Sequence, residues 1–370
     1  MRINIFGDFV ATGEMPEMID LRNLLSEADY NVVNFEAPIR MEKAKQTTKS
    51  GPSICQNEKG PKWLLQQGFN IFTLANNHAM DYGIEGLKAT VSALGKEKVL
   101  GAGTWEDAYK PFILKKDNVT VALLALTHCE FGTLTDEYDK RNLAQYGTAW
   151  INHPKIDGLI VRLKGKVDYV IVLAHAGVEN IEQPLPEWRD RYKSMIDLGC
   201  DAVIASHPHI IQGYEEYQGK PIFYSLGNFF FQKDKQKRPS WYYNIVVSLD
   251  ITDKGLSYIF TPLVFDNTSI KVDNNEYVRD YMKRILTVMS EEDKYIEYVN
   301  KKCRELSSFY DYMFYASGYF GFNSKLLVKR LIMLPYRLIK KTPAHLMNNI
   351  RCESHRWAIL RNIKNRNNIQ

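Results

Sequence analysis

The chain has 370 residues, enough for one large domain with an appendage or for two domains, and its 45% hydrophobic and 25% charged content is that of a globular protein with a buried core. No run of 18 or more uninterrupted apolar residues occurs, which excludes a membrane-spanning helix. The net charge of +5 hides an asymmetry. From residue 301 onward 14 lysines and arginines face three acids (Glu305, Asp311, Glu353), so the tail carries +11 and the first 300 residues about −6. Such a tail points to a partner of its own.

The chain runs from Met1-Arg2-Ile3 straight into a strand, so neither a signal peptide nor an amino-terminal anchor is expected. Its five cysteines (Cys55, Cys129, Cys200, Cys303, Cys352) are scattered and lack CxxC spacing, and read as reduced thiols of a cytoplasmic protein. Strands are predicted over 2–6, ending at Gly7-Asp8, and over 30–35, ending at Glu36. A third over 69–74 ends at Asn76-Asn77-His78, and a helix over about 82–97 follows, with Asp81 as its cap. Residues 118–126 form a long apolar strand ending at Thr127-His128, and 168–173 another ending at Ala174-His175. Helices over 157–164 and 186–198 cover the faces. The β-branched run 202–205 reads as a buried strand that ends in Ser206-His207-Pro208-His209. The alternation predicts a mainly parallel sheet covered on both sides, closed by antiparallel strands over 221–224, 242–250 and 256–264.

The strand ends carry the chemistry. Asp8, Glu36, Asn77, His175, His207 and His209 all follow apolar runs, and open α/β sheets gather such loop onsets on one face. Pro208 fixes its own φ and biases His207 toward an extended conformation, so the two imidazoles sit on a stiff turn. Alone, that turn reads equally as a metal site or as a tight turn whose histidines bond backbone carbonyls. Two carboxylates, one amide oxygen and three imidazoles without a thiolate suit Mn²⁺, Zn²⁺, Fe²⁺ or Mg²⁺. Six such ligands exceed the need of one tetrahedral ion and suggest a two-metal site that activates water for in-line attack.

The ordered series Gly7-Asp8, Asn34-Phe35-Glu36, Ala75-Asn76-Asn77-His78 with Asp81-x-Gly83, His175-x-Gly177-x-Glu179 and Ser206-His207-Pro208-His209 resembles the CapA family of bacterial capsule and poly-γ-glutamate synthesis proteins. Gln212, Glu215, Tyr217-x-Gly219 and Tyr224-Ser225-Leu226-Gly227-Asn228-Phe229 match that family's closing signature, so the resemblance covers roughly residues 1–265. It implies an α/β fold with a calcineurin-like metallophosphoesterase sandwich core over 1–268 and leaves a helical, basic C-terminal region over 269–370. By position it implies that one or two divalent ions are held by Asp8, Glu36 (bridging), Asn77, His175, His207 and His209, with His78 as the phosphate-contacting or proton-donating residue. Two positions depart from the classical metallophosphoesterase pattern: Val10 stands where a histidine is usual, and Glu36 replaces an aspartate.

Other positions carry two readings each. Asp81 is a helix cap or a catalytic acid; Glu179 orients a ligand, contacts substrate or is a solvated loop residue. Asn76 and Asn228 are expected to bind substrate, with turn chemistry an equal alternative for Asn228. His128 ends a strand on the same face, His153 reads as a turn residue, and Gly83 and Gly86 as close-packing positions at a helix start. Residues 101–104 (Gly-Ala-Gly-Thr) lack the Lys-Ser/Thr ending of a phosphate loop. In the tail, residues 325–341 alternate Leu/Ile with Lys/Arg at helical spacing, as a helix on an anionic membrane surface would, or as a packed helix with a solvated basic face would. Charge alone, without a recognition motif, gives no expectation of nucleic acid. The functional expectation is capsule or exopolymer synthesis, either as a metal-dependent hydrolase acting on a phosphate ester or polymer linkage, or as a non-catalytic assembly factor that uses the metal fold as a scaffold. The expected partners are a surface-polymer precursor or anionic polymer and an anionic membrane surface.

Overall fold

The strand Arg2–Val10 is buried at every position after Arg2 and forms the middle of one sheet. The computed structural model describes residues 1–42, 44–49, 51–135, 146–233, 238–316 and 342–367. Parallel to Arg2–Val10 on one side lie Tyr30–Phe35, Ile71–Thr73 and Val99–Leu100. On the other side Tyr243–Thr252, Gly255–Phe265 and Ser269–Val272 run antiparallel in turn, and Glu17–Ile19 closes the edge. Asn228–Phe231 pairs with the carboxyl end of Arg2–Val10, setting Asn228 opposite Asp8. The second sheet has the order Tyr214–Tyr217, Lys220–Phe223, Ala202–Ser206, Tyr169–His175, Val119–Thr127, Phe112–Lys116. Its inner four strands are parallel and its outer two antiparallel.

Alternating side chains place the two sheets face to face. Ile3, Ile5 and Val32 of the first pack against Val121, Leu123, Ile171, Leu173 and Ile204 of the second. The intervening residues face outward under helices. Phe6, Val33 and Phe35 lie with Leu64 and Leu87 of helices Gly60–Gln66 and Gly83–Leu94. Leu124, Val172 and Val203 lie with Ile160, Trp188 and Tyr192 of helices Pro154–Lys164 and Pro186–Asp197. The protein is thus an α/β sandwich of two mixed sheets, the architecture that the family resemblance implies, rather than the mainly parallel sheet with an antiparallel closing section expected from the alternation of elements. The difference has a physical reason: a strand buried on both faces reads the same whether helix or sheet covers the second face.

Ser269–Val272, on the appendage side of the expected boundary at 268, belongs to the first sheet. Helices Tyr277–Ser290, Glu292–Ala316, Thr342–Arg351 and Glu353–Asn367 follow. Tyr295, Val299 and Cys303 of the long helix and Ala358 and Ile359 of the last join the core beneath the second sheet. The described part of the tail is therefore packed on the sandwich. The basic amphipathic stretch 325–341 lies outside the described residues. Among the described residues no helix is long and apolar enough to cross a membrane, and the five cysteines are free.

Candidate metal centre

Gly7 precedes the first of the candidate ligands because nothing larger fits there. A Cβ at residue 7 would collide with the Gly227 carbonyl, so the two strand ends meet backbone to backbone and bring Asp8 beside Asn228. Glu36 follows Tyr30–Phe35, Asn77 follows Ile71–Thr73, and His175 ends its strand one strand away from His207 and His209. All six expected ligands converge. Asp8, Glu36, His175, His207 and His209 are buried and Asn77 is half-buried.

The contacts are close. His175 Nε2 lies 2.9 Å from Asn77 Oδ1, 3.1 Å from His207 Nδ1 and 3.4 Å from Glu36 Oε1. Asp8 Oδ1 is 3.5 Å from His175 Nδ1, and its Oδ2 is 3.6 Å from His209 Nδ1 and accepts from the His207 backbone N–H at 3.2 Å. Glu36 is 0% exposed, yet neither carboxylate oxygen has a hydrogen-bond partner. A carboxylate buried without a hydrogen-bond partner is costly and a bound cation would offset that cost; the nearest charged neighbour of Glu36 is the His175 imidazole, 3.4 Å away. Glu36 also belongs to two ligand groups, one with His175 and His207 and one with Asp8 and His209, each with its donor atoms within 4.8 Å of one another. The donor set fits one or two divalent ions of the hard-to-borderline class.

The backbone is strained where the imidazoles are presented. His207 has φ +103° and His209 φ +60°. The extended conformation expected for His207 before proline is therefore not adopted: aiming both rings at one centre overrides the local bias. The charges explain the proton affinities. Burial opposes ionisation of Asp8, but hydrogen bonds from His175 and His209 hold its carboxyl well below the usual range. Burial disfavours the imidazolium of His175, but Glu36 and Asp8 raise it to about 9; the same balance raises His209 to about 10. His207 is pushed well below its ordinary value, by burial first and then by His128, His175 and His209. Protons and divalent cations thus compete for one acidic pocket.

Several side chains serve the centre without being candidate ligands. Asn34 donates to Asp8 Oδ1 at 2.7 Å, lies 3.0 Å from His175 Nδ1, and accepts from Thr73 and Asn76 at 3.1 Å each. Asn76, expected to bind substrate, spends its amide inward on Asn34, the Phe35 carbonyl and the His78 N–H. Asn228 likewise turns inward, with Oδ1 3.0 Å from His209 Nδ1 and its NH₂ donating to the His209 carbonyl at 3.0 Å. Both asparagines brace the loops that carry the candidate ligands. Such support is what fixes ligand orientation in metal sites.

His78 stands at the mouth. Its Nδ1 is 2.7 Å from Asp81 Oδ2 and 3.1 Å from Lys49 Nζ, and Lys49 also pairs with Asp81. Asp81 is not a helix cap: helix Gly83–Leu94 starts after Tyr82 with no side-chain cap, while Asp81 accepts from the Ile54 N–H at 2.8 Å. Gly86 does pack closely, since a Cβ there would meet Tyr82 Cβ at 2.8 Å. His78, Asn77, Lys49, Glu130, Glu179 and His355 border a cavity of about 870 Å³. His153 caps helix Pro154–Lys164 through Nδ1, which accepts from the Lys155 N–H at 3.1 Å. His128 is fully buried behind the centre, its ring centroid 4.4 Å from that of His207.

Residues 13–233 match the family model described as bacterial capsule synthesis protein PGA_cap. The PGA biosynthesis protein CapA of Bacillus subtilis is 34% identical over 213 residues, covering 56% of this chain and 54% of that protein. The capsule biosynthesis protein CapA of Bacillus anthracis is 32% identical over 271 residues, covering 70% of this chain and 65% of its own. The chain thus spans about half to two thirds of the length of these relatives. Among solved structures, a 5'-nucleotidase from Candida albicans matches with TM-score 0.40 at 14% identity, over 75% of this chain and 54% of that one. A sulfate thiohydrolase SoxB from Thermus thermophilus matches with TM-score 0.43 at 11% identity, over 74% and 46%. With the family model covering more than half of its residues, the chain belongs to the PGA_cap family of bacterial capsule synthesis proteins.

Proposed function

We propose that this protein is a divalent-metal-dependent hydrolase of capsule or exopolymer synthesis, of the poly-γ-glutamate type, acting on a phosphate ester or polymer linkage. The observation that carries the reading is Glu36, buried, without a hydrogen-bond partner and shared by two groups of potential ligands. Asp8, Glu36, Asn77, His175, His207 and His209 would hold the ions (Mn, Zn, Fe or Mg), Glu36 being the residue common to both donor groups. Bound there, the ions supply Lewis-acid polarisation of the substrate and an activated water.

The chain's own groups do the rest. Asn34, Asn76 and Asn228 fix the ligand loops. Asp81 accepts from His78 Nδ1, and Lys49 pairs with Asp81 beside it, which leaves the other ring nitrogen to donate a proton to a leaving oxygen or nitrogen in the cavity. Glu179 and Lys301 border the same cavity, where a segment of an anionic polymer or its precursor would lie. The basic stretch 325–341 would hold the protein at an anionic membrane surface, beside the polymer-making machinery.

One position favours a second reading. Val10 is fully buried and paired with Phe231, so it offers no donor where the classical pattern has a histidine. A non-catalytic assembly factor that keeps the metal fold would tolerate that loss. Activity decides between them: metal-loaded protein screened on phosphodiesters and on polyglutamate should turn over at least one, with loss in His78→Ala. Full metal occupancy with no turnover on any of these substrates would favour the assembly role.

A further inference from the structure

Behind the candidate centre lies a second group of donors that its chemistry does not use. His128 and Glu130 follow the strand Val119–Thr127, and Cys352 sits between the last two helices, Thr342–Arg351 and Glu353–Asn367. All three are buried, and one donor atom from each lies within 4.8 Å of the other two. Glu130 Oε1 is 3.6 Å from His128 Nε2, and Cys352 Sγ is 3.9 Å from His128 Nδ1. Ser354 Oγ lies 3.1 Å from His128 Nδ1 and accepts from Trp188 Nε1 at 3.0 Å. The ring is thereby oriented, and Nε2 is left fully buried with no hydrogen-bond partner. An imidazole held through one nitrogen with the other bare is the arrangement that presents a metal ligand.

We propose that His128, Glu130 and Cys352 bind a further divalent ion of the borderline-soft class, such as Zn²⁺ or Co²⁺, separate from the Glu36 centre. A thiolate, a carboxylate and a neutral imidazole around a divalent cation sum to zero charge, and three protein donors leave a fourth position open on the side where Glu130 borders the cavity. Binding releases the Cys352 thiol proton to solvent, and the thiolate sulfur forms the new bond to the ion. The two donors in the loop after strand Val119–Thr127 and the one on the tail are more than 200 residues apart in sequence, so the ion would staple the C-terminal helices to the sandwich. The neighbouring Glu353 already fastens the same joint, accepting from the Cys129 N–H at 2.7 Å and from Trp150 Nε1 at 2.5 Å.

The Glu36 centre has no sulfur donor, so a thiolate signal separates the two sites. The test is to strip the full-length protein with chelator, titrate it with Co²⁺, and record the near-ultraviolet thiolate-to-cobalt charge-transfer band alongside bound stoichiometry. The expected result is a thiolate band in wild type that persists in Cys129→Ser and disappears in Cys352→Ser, with loss of one equivalent of cobalt. The Cys352→Ser protein should retain the metal held by the Glu36 centre. A wild type without the band, or equal cobalt binding in wild type and Cys352→Ser, would overturn the proposal; the wild-type spectrum decides even if Cys352→Ser does not fold.

Discussion

The carboxylate of Asp81 holds the ring of His78 by Nδ1 at 2.7 Å, three residues away in sequence, while Lys49 closes the same group from a loop 29 residues upstream of His78. The spacing looks like that of a helix cap, and the structure makes it a positioning contact for a residue at the cavity mouth. Asp81→Asn should therefore lower turnover by about 10²–10⁴-fold, the range for a misplaced general acid, with metal content unchanged. Steady-state kinetics beside elemental analysis checks it. Parallel loss of metal would make the group part of the ligand shell instead.

Asn34 joins Asp8, His175, Thr73 and Asn76 through one side chain. Asn34→Ala should weaken metal affinity by about 10–100-fold, as removal of an orienting partner does, while the sandwich stays folded. Competitive chelator titration with circular dichroism as the folding control reads both. Unchanged affinity would leave Asn34 a core amide only.

Gly7 lies against the Gly227 carbonyl with no room for a Cβ. Gly7→Ala should cost about 1–3 kcal/mol of stability as an overpacked contact, and should move Asp8 away from its partners. A lower Tm with reduced metal content is the expected pair of results; a wild-type Tm would show that the strand ends have room to separate.

Arg189 pairs with both oxygens of Glu215 at 3.0 Å each and stands 3.4 Å from Glu292 of the tail. Burial raises the Glu215 pKa, but hydrogen bonds from Arg189 and Tyr224 outweigh it and hold the carboxyl below its ordinary value. A depressed folded-state pKa contributes stability that is present above the unfolded value and lost as pH falls through the folded one. Arg189→Met should thus cost about 1–3 kcal/mol at neutral pH, a deficit that narrows below the ordinary glutamate pKa of about 4.3. Urea unfolding at both pH values measures it. A deficit independent of pH would assign the loss to packing.

The convergence of the six strand-end residues was legible because each follows an apolar run long enough to be recognised, and their order matches one family. What surrounds them was not. Asn34 sits inside a strand and Lys49 in a loop without pattern, and Glu353 meets Cys129 across 224 residues, so no local periodicity reveals them. The inward turn of Asn76 and Asn228 was hidden for the same reason: an amide beside a ligand reads alike whether it faces substrate or backbone. The split into two sheets was equally silent, since Ile5 and Phe6 are both apolar although one faces the partner sheet and the other the helices.

The packing of the tail also changes how the proposed membrane association must be tested. Cys303, Ala358 and Ile359 are part of the core, so truncation near residue 305 would damage the fold and the surface together. Replacing the lysines and arginines of 325–341 with glutamine keeps the chain whole. Wild type should cosediment with vesicles containing anionic lipid, and binding should fall with added salt, whereas the neutralised variant should stay in the supernatant. Equal sedimentation of both would remove the membrane role.

The central claim is that Asp8, Glu36, Asn77, His175, His207 and His209 form a metal centre, and elemental analysis of protein purified without chelator tests it most directly. Wild type should carry one or more equivalents of divalent transition metal, and the combined His207→Ala, His209→Ala variant should lose most of it while remaining folded. A wild type without stoichiometric metal, unable to take it up when supplied with Mn²⁺, Zn²⁺ or Fe²⁺, would contradict the claim.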